Sequence, residues 1–133
     1  MLVTTDNPLE HALILAADEP AHRPHFYTIL MDSQVYLLGT TEIQGTEKKV
    51  NLKAGSKVQI QHWQKPDGSP VIPFFSSLEV LQKSIATEEA YLVLPVRTFF
   101  EMTRGARLFL NPQSDYGKEF SPNEVEQLFG QLG

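Results

Sequence analysis

Two hydrophobic patterns alternate along this chain of 133 residues, and their alternation leaves few folds open. Near the amino terminus, apolar residues recur with the i, i+3, i+4, i+7 spacing of an amphipathic helix, at Leu9, Ala12, Leu13 and Ala16. The run 35–39 (VYLLG) is instead continuously apolar, which is typical of an interior strand. Because such segments go on alternating, we predict an α/β (α+β) fold in which helices flank a mixed sheet of about five strands.

Cap and turn signals divide the chain into these elements. Helices are predicted from Pro8 to about Ala17, over 23–31, after Ser76 or Ser77, from Pro95 towards Gly105, and after the capping box 121–124 (SPNE). Strands are predicted at 35–39, 58–63, 71–75, 90–94 and 108–110, with a weaker candidate at 49–52. The turn 66–69 (PDGS) makes a hairpin of the second and third of these strands. No repeat or linker interrupts the elements, so we expect one domain over residues 1–133.

The amino-acid composition excludes several kinds of chemistry. The chain has no cysteine, which rules out disulfides, thiolate zinc sites, iron–sulfur clusters and cysteine nucleophiles. No apolar run approaches the roughly 18 residues of a membrane span. The first eight residues, MLVTTDNP, lack the basic and apolar regions of a signal peptide. We therefore expect a cytoplasmic protein without a membrane partner.

The distribution of charge argues against nucleic acid as a partner. The net charge is −5, and this acidity repels phosphate. The basic segment 42–65 has no arginine and a single aromatic residue, Trp63, so it lacks the usual features of a nucleic-acid surface. We interpret its lysines as protection of a hairpin or edge strand, with binding of an acidic protein partner as the alternative; they are Lys48, Lys49, Lys53, Lys57 and Lys65.

Five short segments carry a family signature. They are 7–10 (NPLE), 23–27 (RPHFY), 71–77 (VIPFFSS), 101–105 (EMTRG) and 111–120 (NPQSDYGKEF). Together they resemble the SseB N-terminal domain family of bacteria, and the similarity spans nearly the entire chain. The resemblance implies a small cytoplasmic α/β domain, linked by name to an enhanced serine sensitivity phenotype, with no established enzymatic activity, cofactor or substrate. Since some family members carry a second, C-terminal domain, the chain is either a single-domain member or a truncated one.

The candidate functional site is the segment 104–120, where the last predicted strand runs into a turn rich in polar and charged side chains. An arginine, a lysine, a tyrosine hydroxyl and the amides of a glycine turn can together form an anion or carboxylate pocket. The candidate residues for binding a small anionic ligand or an unknown protein partner are Arg104, Asn111, Ser114, Tyr116, Lys118 and Glu119. The structural alternative is that these side chains brace a turn, cover the core or pair with one another.

No catalytic residue, metal site or cofactor is predicted. His22 and His25 lack a third ligand, and Ser76-Ser77 is not set in the G-x-S-x-G sequence of a nucleophile elbow. A second hypothesis is a small enzyme that acts on an anionic or amino-acid-like metabolite through Arg104, Tyr116, Lys118 and Glu119. A non-catalytic binding module is favoured, because the sequence specifies no nucleophile, metal set or acid–base pair. Homodimerisation through an exposed aromatic residue or a strand edge is compatible with the sequence, which contains no feature that requires it.

Overall fold

The computed structural model describes residues 7–41, 58–112, 114 and 116–132. In these residues the helices are α1 (Pro8–Asp18), α2 (Arg23–Met31), α3 (Leu78–Lys83), α4 (Val96–Met102) and α5 (Pro122–Leu132), and a 3-10 turn (Pro20–His22) precedes α2. The strands are β1 (Gln34–Thr41), β2 (Val58–Ile60), β3 (Trp63–Gln64), β4 (Pro70–Phe74), β5 (Tyr91–Pro95), β6 (Leu108–Leu110) and β7 (Lys118–Phe120). The predicted α/β (α+β) class, with helices on a mixed sheet, is confirmed.

The strands form two hydrogen-bonded groups that a single bridge connects. One group has the order β2-β1-β5, with antiparallel neighbours; the other has the order β3-β4-β6-β7, in which β4 and β6 run parallel. Tyr36 of β1 and Phe75, just after β4, exchange two backbone hydrogen bonds of 2.9 and 2.7 Å. The bridge places β1 beside the end of β4, so the two groups share one continuous interior.

The predicted hairpin around residues 66–69 is confirmed, but its first strand is divided. Gly68 has φ +87°, and Lys65 N–H donates to the Ser69 carbonyl oxygen at 2.9 Å to close the turn. β3 pairs with β4, whereas β2 pairs with β1. The segment 58–64 therefore changes partner near its middle, from β1 to β4.

The hydrophobic core lies on both faces of the strands. The larger cluster includes Phe26 of α2 and Phe74 of β4, together with the inward faces of α1, α4 and α5. The smaller cluster contains Leu38, Phe75 and Leu81 and lies on the opposite face. Neighbouring residues such as Phe74 and Phe75 are therefore both 0% exposed, because each belongs to a different cluster.

The helix starts follow the cap signals of the sequence. The side-chain oxygen of Asn7 accepts from Glu10 N–H at 3.0 Å, and that of Ser121 accepts from Glu124 N–H at 3.2 Å. Ser77, not Ser76, caps α3, because its Oγ accepts from Val80 N–H at 3.2 Å. These bonds satisfy amides at the helix starts that have no partner within the helix.

Two strand assignments differ from the sequence analysis. Residues 118–120, which the sequence analysis assigned to a turn, form β7 and pair antiparallel with β6. The weaker candidate strand at 49–52 lies outside the described residues. Gly105, towards which the sequence analysis extends the fourth helix, has a left-handed φ of +89°, and α4 itself ends at Met102.

Candidate functional site

Asn111 is the most buried polar residue of the candidate segment. It is 3% exposed and follows β6 with φ +50°, a left-handed conformation that asparagine tolerates better than most residues. Its Oδ1 accepts from Ser76 N–H at 3.0 Å, and its Nδ2 donates to Ser76 Oγ at 3.0 Å. The Ser76 carbonyl oxygen in turn accepts from Asn7 Nδ2 at 3.1 Å. The Asn111 amide therefore joins the end of β6 to the end of β4 and, through Ser76, to the start of α1.

Ser114 and Gly117 shape the turn between β6 and β7. Ser114 Oγ donates to the Asn111 carbonyl oxygen at 2.9 Å and accepts from Tyr116 N–H at 3.3 Å. A Cβ at Gly117 would lie 2.8 Å from the Asn111 carbonyl oxygen and 2.9 Å from the Phe109 ring. The turn thus has room for glycine alone at position 117, and the half-buried Tyr116 ring packs against the main core.

Glu119 is the centre of a charge cluster on β7. Lys65 Nζ lies 2.8 Å and an Arg107 nitrogen 3.0 Å from Glu119 Oε1. The hydrogen bond from Lys65, and after it the one from Arg107, holds the pKa of Glu119 below its usual value. Glu119 therefore stays ionised between two cations and attaches β7 to the hairpin turn that contains Lys65.

Arg104 belongs to a different part of the surface. Its guanidinium lies 3.3 Å from a Glu101 oxygen and 3.7 Å from a Glu126 oxygen, and it stacks 4.4 Å from the centroid of the Phe129 ring. The side chain attaches the end of α4 to α5. A cleft of about 320 Å³ opens beside it, lined by Ile60, His62, Ile72, Met102, Thr103, Arg104 and Ala106.

Lys118 lies on β7 beside α2 and α5. Its Nζ is 2.9 Å from Glu124 Oε2, an oxygen that also accepts from the Tyr27 hydroxyl at 2.8 Å. Burial, together with the hydrogen bond to Glu124, raises the pKa of Tyr27 to about 12. The ammonium also lies 4.8 Å from the centroid of the Phe120 ring. Lys118 and Tyr27 thus contact the same carboxylate oxygen, the lysine through an ion pair and the tyrosine through a hydrogen bond.

A second cleft, which we call the α1–α2–β7 cleft, has a volume of about 250 Å³, and both Lys118 and Arg23 line it. Its remaining lining is apolar or backbone: Leu13, Ala16, Ala17, Phe26 and Gly117. Leu13 and Phe26 are 4% and 0% exposed, so they form a floor that belongs to the core. The cleft combines two cations with an apolar surface, an arrangement that can bind an anionic group attached to an apolar body.

The structure does not bring the six predicted site residues together. Arg104 contacts α5, Glu119 contacts the hairpin turn, Lys118 contacts Glu124, and Asn111 is buried against Ser76. The cleft residue that the sequence analysis missed is Arg23, because only the packing of α1 and α2 brings it close to β7. The one available signal was its position in the family-like segment 23–27.

The described part of the chain lacks two other kinds of site. No group of three or more His, Cys, Asp or Glu side chains there is arranged to hold a metal ion. None of its helices has the length and apolar character needed to cross a bilayer. Among the described residues, the candidate segment borders both the α1–α2–β7 cleft and the cleft beside Arg104.

Comparison with known proteins agrees with the family resemblance of the five segments. The chain is 49% identical over 129 residues to Protein SseB of Escherichia coli (strain K12) and equally identical to Protein SseB of Shigella flexneri. Each alignment covers 97% of this chain and 48% of the relative, so the chain spans about half the length of the curated relatives it matches. No solved structure matches it significantly. The profile described as SseB protein N-terminal domain matches residues 9–127, and the chain therefore belongs to the SseB N-terminal domain family.

Proposed function

We propose that this domain is a non-catalytic binding module that recognises an anionic group at the α1–α2–β7 cleft. The observation that carries the proposal is that Arg23 and Lys118 line the same cleft, together with the apolar side chains of Leu13, Ala16 and Ala17. Among the described residues Arg23 forms no ion pair, so its guanidinium can accept a ligand without losing a partner. A guanidinium binds carboxylate or phosphate through paired hydrogen bonds, which makes it the stronger anchor of the two cations.

The proposed setting is the cytoplasm, and the proposed process is serine-linked metabolism. Support for both comes from the family resemblance, whose name refers to enhanced serine sensitivity. The anionic group can belong to a small metabolite or to a protein partner, since both present carboxylates. The 250 Å³ volume of the cleft admits a group about the size of one amino acid.

The enzyme hypothesis has less support than binding. It requires Arg104, Lys118 and Glu119 to act on one substrate, whereas each of them contacts a different part of the fold. Glu119 is also held between two cations, which favours its ionised form and makes it a poor general acid near neutral pH. Binding needs only the two cations that already share a cleft.

A nitrogen-15 NMR titration tests the proposal. Acetate, N-acetylleucine, N-acetylaspartate and inorganic phosphate are added separately to the labelled protein. At least one of these anions is expected to shift the amides of Ala17, Arg23, Gly117 and Lys118 in a saturable way. In Arg23→Ala and Lys118→Ala the affinity is expected to fall about tenfold or more, because each variant removes a charge-assisted hydrogen bond.

Lys83→Ala is the matched control. Lys83 is also a lysine in an ion pair, 2.9 Å from Glu79, but it is exposed on α3 and lies outside the lining of the cleft. This variant should bind as the parent does. Shifts spread over all surface lysines, or none at the cleft with any of the anions, would refute the proposed site.

A further inference from the structure

The charges around the α1–α2–β7 cleft specify the class of its ligand. We infer that the cleft binds a monocarboxylate that carries a small aliphatic group, either a free acid or the C-terminal residue of a polypeptide. The inference rests on the proposed function and narrows its ligand. It derives from the charge, the size and the polarity of the groups that surround the cleft.

The charge of the described groups favours a monoanion. Arg23 and Lys118 are cations, while Glu124, bonded to Lys118 at 2.9 Å, is an anion. The Tyr27 hydroxyl donates a hydrogen bond to Glu124 and keeps its proton at physiological pH, so it is neutral. The four groups therefore carry one net positive charge, which a single carboxylate neutralises. A second negative charge would lie close to Glu124, where like charges repel.

The remaining lining favours a small aliphatic body. Leu13 and Ala16 are 4% and 6% exposed and Ala17 is exposed, so their carbon atoms offer a small preformed surface, while Phe26, at 0% exposure, supports it from the core. Pockets for drug-sized ligands have volumes of about 300–1,000 Å³, and the cleft is smaller than these at about 250 Å³. An aliphatic side chain such as that of leucine covers this floor without leaving a polar atom unpaired.

Three matched probes separate the contribution of the ligand's carboxylate from that of its aliphatic body. N-acetylleucine carries one carboxylate and an aliphatic group; N-acetylleucinamide has the same body without the charge, and N-acetylaspartate has two carboxylates. A ligand with about a dozen non-hydrogen atoms is expected to bind with a Kd on the order of 1 mM, which NMR titration resolves. N-acetylleucine should bind about tenfold or more tightly than the amide and more tightly than the dicarboxylate.

Glu124→Gln is expected to weaken the preference for a monocarboxylate over a dicarboxylate. The amide retains an oxygen that accepts from Tyr27 and Lys118, while the cleft gains one net positive charge. The preference for N-acetylleucine over N-acetylaspartate should fall by about three- to tenfold in this variant. Glu126→Gln, at an exposed position that contacts Arg104, should leave the preference unchanged.

The source of the carboxylate is identified by two further probes. If N-acetyl-Ala-Ala-Leu binds more tightly than 4-methylpentanoate, the ligand is a polypeptide C-terminus, and the opposite order assigns a free acid. Tighter binding of N-acetylaspartate or inorganic phosphate at the cleft of the parent protein would overturn the monocarboxylate inference while the proposed function stands. Absence of cleft binding by every anion would refute both.

Discussion

Individual polar residues of the candidate segment divide into those that hold the backbone and those that lie beside a cleft. Asn111 holds the backbone: its amide bonds twice to Ser76, and its own N–H donates to the Phe74 carbonyl oxygen at 2.8 Å. Lys118 and Tyr27 lie beside the cleft, where both bond to Glu124. Substitutions at the two kinds of position should therefore affect different observables.

Asn111→Ala is expected to lower the free energy of unfolding by about 2–4 kcal/mol, measured by urea denaturation. The variant leaves a buried Ser76 N–H without its partner, which costs about 1–3 kcal/mol. It also places alanine at φ +50°. Alanine has no polar side-chain group to stabilise this left-handed backbone, so the conformation costs roughly 1 kcal/mol more. Asn111→Gly avoids the backbone strain and should be less destabilising before the entropy of the unfolded glycine is counted.

Ser114→Ala is the control, since Ser114 is exposed and makes only local bonds in the turn. Its loss should cost less than about 1 kcal/mol, in the range of a single hydrogen bond at the surface. If the free energy of unfolding of Asn111→Ala is within about 0.5 kcal/mol of that of the parent, the Asn111–Ser76 contact does not hold β6 and β4 together.

Tyr27→Phe is expected to change how stability depends on alkaline pH. The pKa of Tyr27 is about 12 in the folded protein, against 10.0 for an ordinary tyrosine. Between these values the unfolded chain loses the proton and the folded chain keeps it, so the free energy of unfolding falls as pH rises. Below pH 10 both states keep the proton and this contribution is constant.

Thermal unfolding at several pH values between 10 and 12 measures this slope in the parent and in Tyr27→Phe. The slope should be shallower in the variant, which has no phenol to titrate at this position. The pKa of Lys83 is raised by its hydrogen bond to Glu79, and Lys83 titrates in both proteins. Its contribution to the slope therefore cancels in the comparison. Equal slopes would show that the Tyr27 phenol titrates alike in both states.

At the level of elements, the helix starts were easier to predict from the sequence than the pairing of the strands. The starts of α1, α3 and α5 are visible in the sequence because each cap is a contact between residues three apart. β7 was not visible, because its three residues, Lys118–Phe120, have two charged side chains and gain their strand geometry only from β6. The change of partner between β2 and β3 likewise depends on contacts with distant strands.

The candidate site was predictable to a smaller extent. The segment 104–120 does border two clefts, through Arg104 and through Lys118, as a run of polar residues after a buried strand suggested. The partners of these residues were not predictable: Glu124 is close in sequence, but Tyr27 and Arg23 are on α2 and reach Lys118 only through helix packing. Sequence spacing cannot encode a contact that long-range packing creates.

Alanine substitutions at two glycines, Gly117 and Gly130, are expected to change the stability in opposite directions. A Cβ at Gly117 would lie 2.8 Å from the Asn111 carbonyl oxygen, so Gly117→Ala must displace the backbone of the β6–β7 turn. We expect a loss of about 1–3 kcal/mol, the usual cost of overpacking. Gly130 is exposed on α5, and a Cβ there would meet no neighbouring atom within 4 Å, so Gly130→Ala should add about 0.5–1 kcal/mol through helix propensity.

Urea denaturation of both variants measures the two effects on one scale. The turn between β6 and β7 positions Lys118, so Gly117→Ala should also weaken anion binding at the α1–α2–β7 cleft. Gly130→Ala should leave that binding unchanged. A stable Gly117→Ala protein with unaltered binding would show that the turn accommodates a methyl group and does not fix the position of Lys118.

At the level of the whole molecule, the two hydrophobic clusters share strands. Leu37 of β1 lies in the larger cluster and Leu38 in the smaller one, and Phe74 and Phe75 are divided in the same way. The hydrogen bonds between Tyr36 and Phe75 connect the same two regions. One cluster can therefore lose its packing only if the strands that also support the other are disturbed, which favours unfolding as one cooperative unit.

Phe74→Leu tests this cooperativity and, with it, the prediction of one domain. The Phe74 ring lies 5.0 Å from the Phe99 ring and about 6 Å from those of Phe100 and Phe120, so the smaller side chain should cost about 1–2 kcal/mol. Trp63, the single tryptophan, packs 6.2 Å from Phe75 in the other cluster and reports on it by fluorescence. Fluorescence and far-ultraviolet circular dichroism should give one urea midpoint in the parent, and Phe74→Leu should lower both by the same amount. If the Trp63 midpoint stays at its parental value while the dichroism midpoint falls, the two clusters unfold separately, and the chain contains two cooperative units rather than one.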